Sequence, residues 1–147
     1  MTAIEAVLLP VDDELYALPV SDVREVAAAP RPTRLVTAPS AVLGLFNLRG
    51  EIIPLWDVAA LLNVGAIAAP RFAIVLSDPP GRAAVATVAA PHRAVLGSPV
   101  DTSELPGTAG AYRVGDRVAV LIDPSALFSG WRAGPGARTD PIAAEAG

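Results

Sequence analysis

The stretch AVLGLFNLRGEIIPLWDVAALLN, residues 41–63, decides how the rest of the chain is read. It is the longest apolar run, and Arg49-Gly50 sits near its middle. Leu45 to Arg49 has the character of a strand, Gly50 supplies a turn or bulge, and Ile52 to Trp56 reads as the returning strand. Asp57 is a good N-cap for a short helix over Val58 to Leu62, with Gly65 as its stop. A guanidinium within so much apolar sequence has two readings. It is paired with an acid inside the fold, or it is presented at a surface, where its planar fork is favoured for protein contacts. Spacing alone leaves the two even. Glu25 raises the same question, as a solvated charge or as an acid beside a groove walled by Val23 and Val26. A Glu25–Arg49 pair would merge both readings.

Working outward, Ile4 to Leu9 reads as a strand, Val11 to Glu14 as a polar turn, and Leu15 to Val20 as the hairpin partner. Ser21 to Val26 reads as a short helical turn or bend that Ser21 could cap, although Val23 and Val26 suit a strand equally well. Pro30 and Pro32 force an extended connection. Downstream, Arg71 to Ser77 is a strand, Asp78 to Gly81 a turn, and Ala83 to Val88 the return strand. His92 to Leu96 is a short strand, and Ser98 to Gly110, rich in Pro and Gly, reads as a loop. Ala111 to Val114 and Arg117 to Ile122 form a hairpin across Gly115-Asp116. Asp123-Pro124 opens a final helical turn, Ser125 to Phe128. Beyond Gly130 the chain turns small and polar and is expected to fray. Residues 1–130 are thus expected to form one domain and 131–147 a flexible tail. No repeat of fixed period shows. Many short strands with regular turn signals indicate an all-β fold in barrel form.

The totals narrow the function. A chain of 147 residues, 52% hydrophobic and 18% charged, bounds one compact unit or two small lobes sharing a core. A net charge of -4 argues against nucleic acid as the main ligand, because phosphate binding needs a basic face. Every cation is Arg, which removes P-loop and Schiff-base chemistry, and the absence of Cys removes disulfides and thiol catalysis. The opening residues MTAIEAVLLPVDDELY have no basic start and break their apolar run at Pro10 and Asp12, unlike a signal peptide. No window reaches the roughly 18 uninterrupted apolar residues that a membrane-spanning helix needs. A soluble, cytoplasmic protein is expected. His92 is the only histidine, and nothing in the spacing joins it to Ser98, Ser125 and an orienting acid. Asp12, Asp13 and Glu14 match no metal-loop motif, and Gly44, Gly50 and Gly65 are not in phosphate-loop spacing. No catalysis, cofactor or metal is therefore expected.

Several segments together resemble one family. These are Leu15 to Val20, then Val23-Arg24-Glu25-Val26, then Gly44 to Asp57 (GLFNLRGEIIPLWD), and finally Gly115 to Leu127 (GDRVAVLIDPSAL). In collinear order over residues 4–128 they are similar to the CheW-like domain, whose specific signature is the segment from Asn47 to Asp57. The resemblance implies two intertwined five-stranded SH3-like β-barrels packed on one core. It implies a non-catalytic adaptor that links the cytoplasmic tip of chemoreceptors to the regulatory domain of a CheA-type histidine kinase in a bacterial array. By the same resemblance Arg49, Glu25, Val23, Val26, Gly44, Asn47, Leu48 and Gly50 are the partner-binding residues. The family's second-barrel strand usually carries Gly and Asp where this chain has Ala86 and Ala90. That departure implies a paralogue with altered partners, serving pili, gliding or another output. A small-molecule-binding barrel that uses the cleft between lobes is the reading from a different class.

Overall fold

A computed structural model of the chain describes residues 3–28, 30–77, 83–103 and 105–133. It begins with a hairpin of β1 (Ile4–Val11) and β2 (Glu14–Pro19), followed by a single 3-10 turn, Val20–Asp22, and β3 (Val23–Ala28). β4 (Val42–Leu48) and β5 (Glu51–Asp57) form a second hairpin that runs into α1 (Val58–Leu61). β6 (Phe72–Leu76) pairs with β7 (Ala84–Thr87). β8 (His92–Leu96), β9 (Pro99–Asp101), β10 (Thr108–Val114), β11 (Arg117–Ile122) and α2 (Pro124–Ala133) complete the described chain.

The strands form two sheets, in the orders β8-β1-β2-β11-β10-β9 and β3-β6-β7-β5-β4. Both are antiparallel except for one parallel pair each, β11 with β2 and β5 with β7. Each sheet is one lobe. In the first, β8 and β9 behave as one kinked strand, whose first half pairs with β1 and whose second half pairs with β10. At the kink Gly97 N–H donates to Arg113 O at 2.7 Å, and Arg113 N–H donates to Ser98 O at 3.0 Å. In the second lobe, β3 pairs with β6, and Thr33 beyond it bridges to Leu45 on β4. The two lobes therefore share one plan, and the chain supplies it twice: hairpin, kinked strand, hairpin, helix. The hairpins are exchanged. β1-β2 completes the lobe of β8 to β11, and β6-β7 completes the lobe of β3 to β5.

That exchange explains why the early strands are apolar on both sides. Val7, Leu9, Tyr16 and Leu18 enter a core shared with Ile53, Leu55, Ile74 and Val85 of the other lobe. Their neighbours Ala6, Leu8, Leu15 and Ala17 line a smaller core with Leu96, Ala119 and Leu121 inside the first lobe. Strand residues alternate faces, so a strand between two cores must read as continuous hydrophobics. α2 closes the shared core with Leu127 and Phe128, and the Phe128 ring meets Trp56 edge-on with centroids 5.3 Å apart.

The all-β, two-lobed SH3-like arrangement is present. The sheets hold six and five strands and curl without closing into complete barrels. Four expectations change. Val23 to Val26 is strand, and the helical turn before it is confined to Val20–Asp22 without a side-chain cap. The segment from Ser98 to Gly110 contains β9 and the start of β10. The final helical turn extends to Ala133, so the first residues assigned to a flexible tail are helical. A repeat exists, in topology. The expected turn at Asp78 to Gly81 and the tail from residue 134 onward lie outside the described residues.

Candidate partner-binding site

Leu48 and Glu51 pair at the end of the β4-β5 hairpin and leave a two-residue turn, Arg49-Gly50. Both turn residues have positive φ, 52° for Arg49 and 87° for Gly50. Such a pair is the type I′ geometry that matches strand twist, and its first position favours Asn, Asp or Gly. Arg49 adopts a conformation that costs an L-residue energy, which directs attention to its side chain. Asn47 supports the turn: its Oδ1 accepts from Gly50 N–H at 2.8 Å. Nothing lies within 4 Å of a Cβ built on Gly50, so the tip stands clear of the fold.

The Arg49 side chain is 67% exposed, and its guanidinium pairs with Glu25 Oε2. Arg24 extends the contact, with Nε 3.3 Å from Glu25 Oε2 and Nη2 3.0 Å from Glu51 Oε1. Glu25 and Arg24 lie on β3, Arg49 and Glu51 on the β4-β5 hairpin, and β3 and β4 are opposite edges of one sheet. The four charges thus clasp a curled sheet across its open seam. Hydrogen bonding from Arg49, with the nearby charges of Arg49 and Arg24, holds the Glu25 carboxyl below the usual carboxylate range against a smaller opposing effect of burial. The same pair raises Arg49.

A β-bulge sets the faces of β3. Val23 pairs with Leu76 but Glu25 pairs with Val75, so Arg24 is the extra residue. Directly paired residues point the same way. Val23 and Val26, opposite Leu76 and Ile74, consequently share one face, while Glu25 and Ala27 share the other. Val23 packs on the shared core, whereas Val26 is 44% exposed. Leu48 also packs against that core. Gly44 stands apart at the far end of β4, about 17 Å from Arg49 by strand rise. It is buried, and a Cβ there would lie 2.5 Å from Thr33 O. Ala86 is fully buried opposite Ala73, and Ala90 is exposed. His92 is exposed on β8, opposite Leu8.

The structure brings Glu25, Arg49, Asn47, Leu48 and Gly50 to one end of the second lobe, with Val23 and Val26 on the adjoining strand. Sequence reasoning did not single out Arg24 and Glu51. Their signal was an adjacent opposite charge at both places, Arg24-Glu25 and Arg49-Gly50-Glu51. Among the described residues no helix is long and apolar enough to cross a membrane, and no group of three or more acidic or histidine side chains is arranged to hold a metal.

The family model of the CheW-like domain matches residues 5–130. A chemotaxis protein CheW from Helicobacter pylori is 42% identical over 45 residues, 31% of this chain and 27% of that protein, so the match spans about a quarter of that relative's length. The backbone is similar to the crystal structure of the scaffolding protein TtCheW from Thermoanaerobacter tengcongensis. That likeness has a TM-score of 0.73 at 23% identity and covers 92% of this chain and 96% of that chain. At this identity it is a likeness of fold.

Proposed function

The chain belongs to the CheW-like domain family, and from that premise we propose that it is a non-catalytic adaptor coupling chemoreceptors to a CheA-type histidine kinase. It works in the cytoplasm and reaches the inner face of the membrane through the receptors it binds. The observation that carries the reading is the display of Arg49 on a clear, strained turn. Glu25 occupies one side of the guanidinium, and among the described residues the remaining N–H donors have no partner and can engage an incoming acceptor. Partner binding and the clasp then draw on the same side chain, so a partner that takes Arg49 alters the link between β3 and the β4-β5 hairpin. Glu25, Arg49 and the exposed Val26 are the contact residues. Val23, Asn47, Leu48 and Gly50 hold them in place, and Gly44 shapes the far end of β4.

The test is capture of the kinase regulatory domain and a receptor cytoplasmic tip by the purified protein and by Arg49→Asn. Asn suits the first position of a type I′ turn, so the variant keeps the hairpin and loses the guanidinium. The expected result is weaker capture by a folded protein, with a urea midpoint little changed because relief of the strained turn offsets the small loss of the exposed pair. Equal capture by both proteins would remove Arg49 from the interface. Ala86 and Ala90 favour a paralogue serving pili, gliding or another output within the same reading. A small-molecule function has one observation in its favour, a cavity of about 500 Å³ between the β1-β2 turn and the segments around Ile67 and Val88. A saturable thermal shift with a metabolite, without capture of either protein, would support it instead.

A further inference from the structure

Beyond the Arg49 turn, we infer that Arg31 and Arg71 form a docking pocket for an acidic protein segment, carboxylates flanked by aliphatic side chains. Both arginines line a cavity of about 360 Å³ walled by Ala28, Pro30, Pro70 and Phe72. Arg31 also borders a second cavity, about 310 Å³, on the β3-β4 seam beside Phe46 and Leu48. Among the described residues Arg24, Arg49 and Arg93 each have a carboxylate partner, whereas Arg31 and Arg71 have neither an ion pair nor a side-chain hydrogen bond. Both are exposed. Two like charges held at one pocket repel each other, and an anion placed between them relieves that repulsion.

The occupant follows from charge and lining. The chain as a whole carries -4, so its surface repels polyanions and admits only a local negative group at this pocket. Guanidinium forks match carboxylates bidentately. The walls are aliphatic, aromatic and proline, and the seam cavity beside Arg31 is floored by the half-buried Leu48 and the buried Phe46. A bare phosphate uses none of that apolar lining, whereas a peptide with a Leu beside a Glu uses both parts. Neither arginine belongs to the Glu25–Arg49 clasp, although the seam cavity beside Arg31 shares Asn47 and Leu48 with the adaptor site.

The experiment follows the Arg Nε–H signals of the full-length protein by NMR during titration with acetyl-Leu-Glu-Glu-Leu-amide. Saturable movement of the Arg31 and Arg71 signals is expected. The Gln peptide, acetyl-Leu-Gln-Gln-Leu-amide, should leave them in place. Raising the salt from about 0.05 M to about 0.5 M should weaken the Glu-peptide response strongly, because the site is exposed. Arg31→Gln with Arg71→Gln should weaken binding by roughly tenfold or more. Arg93→Gln, in the other lobe, should leave binding unchanged. Unmoved signals with the Glu peptide, or equal response to both peptides, would overturn the inference. An equally strong response to inorganic phosphate at matched ionic strength would overturn it as well, by assigning the pocket to phosphate groups.

Discussion

Arg49 and Glu25 show how one charge can be paired and exposed at once. The guanidinium is paired, and it is still largely in solvent. An exposed pair of this kind adds little to stability and is screened by salt, so its use lies in where it holds the turn. Its pH dependence has a definite sign. The Glu25 carboxyl is held below its ordinary value when folded, so the clasp's contribution is present above that ordinary value. It disappears as pH falls through the lowered one. Urea midpoints of the wild type and Glu25→Gln, compared from neutral to acid pH, should differ at neutral pH and converge at the acid end. A difference that grew on acidification would contradict the sign of the shift. Asp57 and Asp123 hold equivalent positions in the two halves, each capping the helix after a hairpin, and they differ in burial. Asp57 is 3% exposed and accepts from Ala60 N–H at 3.1 Å and Ile67 N–H at 2.8 Å. Asp123 is exposed and accepts from Ala126 N–H at 3.4 Å. Chemical denaturation should show Asp57→Ala losing about 2–4 kcal/mol, since it leaves a buried donor without its partner. Asp123→Ala should lose about 1 kcal/mol or less.

At the scale of elements, the register of β4 shifts where Gly44 lets the Thr33 backbone come close. Thr33 and Leu45 exchange both backbone hydrogen bonds, at 2.7 and 2.9 Å, and Gly44 has a φ of 152° beside a register shift. Gly44→Ala places a methyl against backbone and strains φ together. Its urea midpoint should fall by an amount equivalent to about 3 kcal/mol. The hairpins were legible because their turns are marked, by Asp12-Asp13, Arg49-Gly50 and Gly115-Asp116. Asp57 was legible as a cap because a short polar residue preceded an apolar run. β3 stayed ambiguous between strand and helical turn, because a bulge at Arg24 interrupts the alternation that identifies a strand, and Ser21 offers a false cap. β9 was hidden for a different reason. It is three residues long, all exposed, and opens on Pro99, so it carries neither hydrophobic period nor β propensity. The length of α2 was missed because Gly130 falls inside it, where glycine usually marks an end. In the candidate site, Arg49 stood out as a charge within an apolar run and Glu25 was raised as its partner, whereas the added links of Arg24 to Glu25 and Glu51 depend on a sheet curvature that no local pattern encodes.

At the scale of the whole molecule, the two halves share topology while their side chains have diverged. Gly44 and Gly110, Asp57 and Asp123, and the two hairpin turns still correspond, but Arg49-Gly50 in one half faces Gly115-Asp116 in the other. Matching turns with opposite charges conceal a repeat from any search by residue similarity. Because β1-β2 and β6-β7 are exchanged, neither half contains a complete lobe. Residues 1–66 and 67–147, produced separately, should each lack native NMR dispersion and regain it on mixing. Native dispersion in either fragment alone would show that the exchange is not required for folding. The exchange also bears on how a displacement travels. In mechanical terms the lobes share members instead of meeting at a joint, since β2 is braced by β11 and β7 by β5. Among the described residues the lobes are joined by shared strand pairing, so a push at the Arg49 tip is expected to load the sheets directly. The β5–β7 pairing then offers the route by which such a load would reach the stretch leading to the opposite lobe, and a body built this way is expected to act as a stiff spacer, with the clasped seam as the place left to give.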